Sequence, residues 1–364
     1  MAYELTNSFD VCFNIMKIKY HVYDQTFDDI GLITPNDSIN VFINLESVLN
    51  YLSCINGIDK KLVSERDFPT IITADILNLA AHYKRFFRGN NLPTKVFLYM
   101  TDLCSEVDAF KETKFNDEYR SYYLNKYNTN PKYSLLTEGL KYEILPDTMK
   151  ICEFIQDVHL IVTKNIDSSV VPYVVGKQNK NSKNVIITSD IYDTQYSFEP
   201  NYVVHYLRRS PMYNSLSWNL KGYIKEIIKR EPDQASEINY INNVSKYLCL
   251  LSVLGDKPRS IEPIRRVGAI TVMKNFKTAM DKSMIDFNTE SIELLKDVFP
   301  DDMQEELIDN FYQYSIKWKY ESMSESDKYE INSNLINRFD NNSLLKLNAT
   351  KFYNHQLMLE ELTN

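Results

Sequence analysis

The sequence predicts an α/β fold, a parallel sheet flanked by helices, followed by a region that is helical throughout. Two observations carry that expectation. Short apolar, β-prone runs stand at Val41–Asn44, Val96–Met100, His159–Thr163 and Val185–Thr188, separated by longer stretches with helical periodicity. Strands alternating with helices form parallel sheets covered on both faces. Beyond Pro200 the β-signal fades and helical patterns dominate. The expected organisation is an N-terminal extension over 1–40, an α/β domain over 41–200 and a helical region over 201–364.

Within the first region, Ala74–Arg88 places Ile76, Leu79, Ala80, Tyr83 and Phe87 on one face, as an amphipathic helix packed on the sheet does. After Pro200, helices are expected over Leu216–Arg230, Ile238–Leu254, Ala269–Lys282, Thr289–Phe299 and Glu305–Lys319. No internal repeat or low-complexity tract interrupts the pattern.

A chain of 364 residues that is 44% hydrophobic and 13% aromatic has ample material for a packed core. Its five cysteines, Cys12, Cys54, Cys104, Cys152 and Cys249, are odd in number and never in C-x-x-C spacing. That argues against a disulfide framework or a structural zinc site and for a reduced, cytoplasmic setting. Met1 to Asn14 lacks a basic signal-type segment, and no apolar run approaches the roughly 18 residues of a membrane helix. Neither secretion nor membrane insertion is expected. There is no phosphate-binding glycine loop. The histidines His21, His82, His159, His205 and His355 are not at metal-ligand spacing from one another and read as surface or core residues.

The net charge of −8 argues against a nucleic-acid partner, because phosphate binding is largely electrostatic. Its distribution argues otherwise. His205 to Lys282 carries 14 Lys/Arg against 7 Asp/Glu, whereas Asp286 to Glu330 carries 4 against 13. The middle is basic and the following segment acidic.

The most informative segment is Leu251–Val272, LSVLGDKPRSIEPIRRVGAITV. It resembles the helix-three-turn-helix of 5′ nucleases (flap endonucleases), of the form G-D-x-x-D-N-I-P-G-x-x-G-I-G-x-K-T-A. The matches are Gly255, Asp256, Ile261, Val267, Gly268 and Thr271, without gaps. Such a helical hairpin presents backbone N–H groups and a helix N-terminus to a DNA phosphate. Upstream, Lys183–Tyr196 resembles the family's strand and loop v-I-v-S-x-D-x-D-x-x-Q-L, with Asp190 five residues before Gln195. Asn165–Val171 stands where the family carries E-A-D-D, and Val41–Leu52 resembles the opening strand, which normally ends in the first catalytic Asp. Tyr119–Tyr127 resembles the stretch near the helical arch, and Arg338–Phe352 the C-terminal segment. The resemblance spans roughly residues 40 to 352 in the family's order and implies a PIN-like sheet followed by a helical DNA-binding region. Eight glycines and abundant Asn, Lys and Ile resemble translation from an AT-rich genome, as in many large phages.

The family hydrolyses phosphodiesters with two divalent ions about 4 Å apart, held by clustered Asp and Glu. By register, Asn44 replaces the first Asp, and Asn165 and Ser168 replace the Glu and last Asp of E-A-D-D. Tyr192 replaces the second Asp of D-x-D, and Arg259 the second Asp of G-D-x-x-D. Asp167, Asp190 and Asp256 remain, a set able to hold one weak ion at best. Asp193 is one residue late and is expected to face elsewhere. The resemblance therefore implies a vestigial site without a cofactor, Mg2+ being the ion if activity remains. The surviving acids then read as helix caps or partners of basic residues, with Arg259 as a counter-ion near Asp190 and Asp256.

For DNA contact the resemblance points to Arg120 and Lys126 at the arch, and to Lys257, Arg265, Arg266, Gly268, Thr271 and Lys274 in the hairpin. Pro263 and Arg266 replace hairpin glycines, which exchanges close backbone approach for side-chain charge. Three functions remain open: a non-catalytic homologue that binds duplex or branched DNA or acts as a scaffold, an active metal-dependent flap endonuclease, and a structural subunit of a viral assembly with a viral protein partner. The corresponding locations are the cytoplasm, including that of an infected cell, or the virion.

Overall fold

The structure is a computed structural model, and it describes residues 38–49, 68–89, 93–101, 144–152, 155, 157–163, 166–178, 182–188, 190–207, 243–255, 261–264, 267–281 and 299–336. Five parallel strands form one sheet in the order β3-β2-β1-β4-β5. They are β1 (Ser38–Asn44), β2 (Thr94–Thr101), β3 (Val158–Thr163), β4 (Ser182–Thr188) and β5 (Tyr202–Tyr206). The four apolar runs expected to be strands are the cores of β1 to β4. Their near-continuous Val, Ile and Leu content is what a sheet buried on both faces requires. The sheet begins three residues before position 41, and β5 lies beyond Pro200, where the sequence suggests only helices. Five residues of YVVHY give a weak periodic signal, and pairing with β4 (Ile186 opposite Val204) is what makes them a strand.

Alternate residues point to opposite faces of the sheet. One face is covered by helix α1 (Phe68–Gly89), which packs on β1 and β2, and α2 (Leu145–Cys152), which packs on β3. The amphipathic helix expected at Ala74–Arg88 is thus observed, and its Tyr83 hydroxyl meets His205 of β5. On the other face Phe42, Phe97, Ile161, Ile186 and Val204 join one apolar cluster with α3 (Val171–Gly176) and the C-terminal helices. Those helices are α4 (Val244–Leu254), α5 (Ala269–Asp281), α6 (Asp301–Tyr314), α7 (Ile316–Ser322) and α8 (Glu325–Ile336). The fold class is therefore the expected one, a parallel sheet flanked by helices followed by a helical region. Among the described residues no helix is long and apolar enough to cross a membrane. Leu216–Arg230, and all of Thr289–Phe299 but its last residue, lie outside the described residues.

The single helix expected over Glu305–Lys319 is two. Ser315 interrupts it with an extended backbone (φ −72°, ψ 105°), and its hydroxyl caps the amide of Trp318 at 3.1 Å. A distant side chain drives the break. Buried Gln195 donates to the Tyr314 carbonyl at 3.0 Å and accepts from the Ile316 amide at 2.8 Å, so backbone groups on both sides of Ser315 are satisfied outside the helix ladder. Local periodicity carries no trace of such a contact.

Gly255 ends α4 at φ 67°, ψ 170°, a region that is essentially restricted to glycine. A Cβ there would lie 2.5 Å from the Pro263 nitrogen and 2.7 Å from the Ile261 carbonyl oxygen. Substitution Gly255→Ala is expected to destabilise the protein by about 2–4 kcal/mol, read as a lower urea midpoint.

His205 is fully buried, and burial first, then the neighbouring His82, holds its pKa well below 6.5. In the interval between the folded and unfolded pKa values the unfolded chain binds a proton that the native state does not. Stability is therefore fully present above the unfolded value and falls as pH drops below it, by at most about 1.4 kcal/mol per unit. Denaturant titrations from neutral to mildly acidic pH should show this slope, and His205→Gln should flatten it.

Candidate functional site

An open α/β sheet binds ligands at the carboxyl ends of its strands, where the strand order reverses. Here the chain runs outward through β2 and β3 and returns to the other side of β1, so the reversal lies between β1 and β4. Asn44, Thr101, Thr163 and Thr188 close the first four strands. The segments that follow β1, β3 and β4 bring Glu46, Asp167, Asp190 and Asp193 to this end of the sheet.

At the crevice, Asn44 Nδ2 and Thr188 Oγ1 each donate to Asp193 Oδ2 at 2.7 Å. Asn44 Oδ1 also accepts from the Ser47 amide at 3.2 Å, capping the helical turn at 45–49. Asp193 is completely buried. This overturns the expectation that Asp193 faces elsewhere. Ile191–Phe198 is a 3-10 helix, with about three residues per turn, so the alternation of a strand does not govern where position 193 points.

The neighbouring acids are engaged in the same manner. Buried Glu46 accepts from the Thr101 amide at 2.6 Å and from Ser168 Oγ at 3.2 Å, while the Ser168 amide donates to Thr101 Oγ1 at 3.2 Å. Asp167 caps the Ser169 amide at 3.0 Å through Oδ1, and its Oδ2 receives the Lys319 ammonium at 2.7 Å. Asp190 caps the Tyr192 amide at 3.0 Å. The capping role expected of Asp167 and Asp190 is observed. Asn44 and Ser168, at positions where the resemblance implies acids, instead donate hydrogen bonds to acids.

Tyr99 lies within the field of these groups. Burial raises its pKa well above 10, and the negative charges of Asp193, Glu46, Asp190 and Asp167 raise it further. The phenol is therefore a neutral donor. Its hydroxyl is buried without a hydrogen-bond partner among the described residues.

Asn165, Asp256 and Arg259 lie outside the described residues, as do Arg120, Lys126, Lys257, Arg265 and Arg266. Of the expected DNA-contacting residues, Gly268, Thr271 and Lys274 are exposed at and near the start of α5, and Gly268 faces open space. Sequence reasoning missed Glu46, Tyr99, Thr188 and Lys319. Glu46 follows two residues after Asn44 and is the only one with a local signal, an acid immediately beyond an apolar strand.

A divalent ion needs several oxygen ligands free to converge on it. Here both oxygens of Asp167 and one oxygen each of Glu46, Asp190 and Asp193 accept from protein donors, Asp193 Oδ1 is buried without a hydrogen-bond partner among the described residues, and among those residues no three His, Cys, Asp or Glu stand together in a way that could hold a metal ion. As they are bonded among the described residues, these donors do not converge on a common point as a two-ion centre requires.

No family model matches the chain, and no curated protein matches it in sequence. Several solved structures align with most of the chain. The bacteriophage T5 D15 protein co-crystallised with metal ions is 11% identical, with a TM-score of 0.48 over 83% of this chain and 100% of that one. The T5 flap endonuclease in a pseudo-enzyme–product complex with DNA and metal ions is 13% identical, with a TM-score of 0.47 over 82% and 98%. The T5 5′-exonuclease with bound zinc is 11% identical, with a TM-score of 0.48 over 82% and 98%.

Placing an acid at the end of β1 should be harmful. Asn44→Asp replaces a donor to Asp193 Oδ2 by a second carboxylate at hydrogen-bond distance, and two such groups cannot both ionise cheaply. Expected is a loss of about 2–4 kcal/mol at neutral pH that shrinks as the pH is lowered and the pair takes up a proton, as measured by denaturant unfolding over a range of pH.

Proposed function

We propose that the chain is a degenerate 5′ nuclease homologue, phage-encoded, that binds duplex or branched DNA without cleaving it. One observation carries the reading: the carboxylates at the reversal point are bonded to protein donors, including Asn44 and Ser168 at positions where the family pattern has acids. The motif order supports the family assignment, since the segments matched in sequence supply the strand ends that meet at this crevice. DNA binding is supported by the basic balance of His205 to Lys282, 14 Lys/Arg against 7 Asp/Glu, and by exposed Thr271, Lys274 and Lys277 along α5. Arg265 and Arg266 extend that charge in sequence. The substrate-like ligand is a flapped or nicked duplex, and no cofactor is proposed.

Two measurements test it. Incubated with flap and nicked duplexes in Mg2+ or Mn2+, the protein should leave both intact; cleavage that disappears in Asp190→Ala/Asp193→Ala would overturn the reading. In a salt titration of duplex binding, log affinity should fall with log salt. The slope should flatten by about 0.9 for each phosphate that is no longer neutralised in Arg265→Glu, Arg266→Glu or Lys274→Glu. Failure to bind DNA at low salt would leave a purely protein-binding subunit instead.

A further inference from the structure

The lysine at the carboxylate crevice comes from far along the chain. Lys319 lies on α7, in the acidic stretch Asp286 to Glu330, which has only 4 Lys/Arg. Its Nζ donates to Asp167 Oδ2 at 2.7 Å and to Tyr192 Oη at 2.7 Å, with side-chain exposures of 14% for Lys319 and 22% for Asp167. The Nζ is 5.0 Å from the centre of the Tyr192 ring. Because the hydroxyl is only 2.7 Å away, that approach runs along the ring edge and is a hydrogen bond rather than a cation over the aromatic face.

Lys319 is not placed there by a flexible reach. Gln195 fixes the first turn of α7 through the Tyr314 carbonyl and the Ile316 amide, and Ser315 caps it. The next residue, Tyr320, stacks on Tyr173 (5.5 Å, 23°) and lies under the Lys177 ammonium at 4.6 Å. With α7 held on both sides of position 319, the ammonium is delivered to a defined point. Tyr192 matches it. An aspartate at that position would add another negative charge, whereas the phenol supplies a neutral acceptor and leaves Asp167 as the charged partner.

We propose that the Lys319 ammonium is the resident cation of this crevice: it neutralises Asp167, docks the C-terminal helices onto the strand ends, and excludes a divalent ion. Tyr192 and Lys319 act as one replacement unit, in the role that the sequence suggests for Arg259. The inference deepens the non-cleaving reading, but its readouts are stability and metal response rather than cleavage, so either can fail alone.

The test uses the full chain and thermal unfolding with millimolar Mn2+ or with chelator. The parent should melt at the same temperature in both. Lys319→Gln should lower the melting temperature by about 5 °C or more, Lys319→Arg should restore most of the loss, and Mn2+ should raise the melting temperature of Lys319→Gln but not of the parent. Asp167→Asn combined with Lys319→Gln should cost less than the two single losses added together, because each removes the same ion pair. Additive losses, a Mn2+-sensitive parent, or a Lys319→Gln variant indifferent to Mn2+ would each overturn the proposal. If Lys319→Gln does not fold, the double variant decides: removing both charges should rescue folding, and a double variant that also fails to fold overturns the proposal.

Discussion

Carboxylates withdrawn from water are tolerated only when hydrogen bonds or opposite charges replace the lost hydration. The structure gathers Glu46, Asp167, Asp190 and Asp193 at one end of a parallel sheet, and donors from several elements converge on them, although Asp193 Oδ1 is buried without a hydrogen-bond partner among the described residues. Asn44 and Thr188 close on Asp193 across the reversal point, tying β1 to β4 at the position where neighbouring strands diverge. Thr101 and Ser168 close on Glu46, tying the end of β2 to the segment after β3. The cluster is thus a knot among four connections. Tyr99, held protonated by burial and by the surrounding negative charge, contributes an aromatic wall that carries no charge of its own.

The helical region is attached through polar contacts as much as through apolar burial. Gln195 bonds the α6–α7 junction, and Asn310 of α6 donates to the Ser252 and Glu262 carbonyls at 3.0 and 2.9 Å, which fixes the segment after Gly255 against α4. Tyrosine richness has a structural explanation here. The Tyr196 hydroxyl donates to the Ser169 carbonyl at 2.6 Å and the Tyr202 hydroxyl to the Pro172 carbonyl at 2.9 Å, while their rings stack at 5.1 Å. A tyrosine in such a place combines a large apolar body with a hydroxyl that satisfies a buried carbonyl, and so helps hold α3 and the 3-10 helix together.

Asparagine and serine among acids make a well-bonded arrangement, with Asn44 donating to Asp193 and Ser168 to Glu46. Replacing an aspartate by asparagine or serine exchanges an acceptor for a donor, and the remaining acids then become partners instead of repelling neighbours. Strand pairing rests on the apolar runs, so the sheet and its reversal point do not depend on which polar residues stand at the strand ends. A fold does not by itself specify chemistry, and function has to be argued from the residues at the site.

The sequence by itself determined the parallel sheet, its first four strands and the amphipathic helix at Tyr83, because apolar runs and 3.6-residue spacing are local properties that decide what must be buried. The family resemblance also picked out Asn44, Asp167, Ser168, Asp190 and Tyr192, which lie near the carboxyl end of the sheet. Tertiary structure alone decided the rest. β5 became a strand by pairing with β4, α6 and α7 separated because Gln195 reached their junction from 119 residues away, and Asp193 turned inward on a 3-10 helix that no alternation predicts. The ammonium at Asp167 comes from Lys319, 152 residues later in the chain. Its place follows from the packing of α7, and a local pattern cannot encode an ion pair whose two halves are brought together only when the whole chain folds.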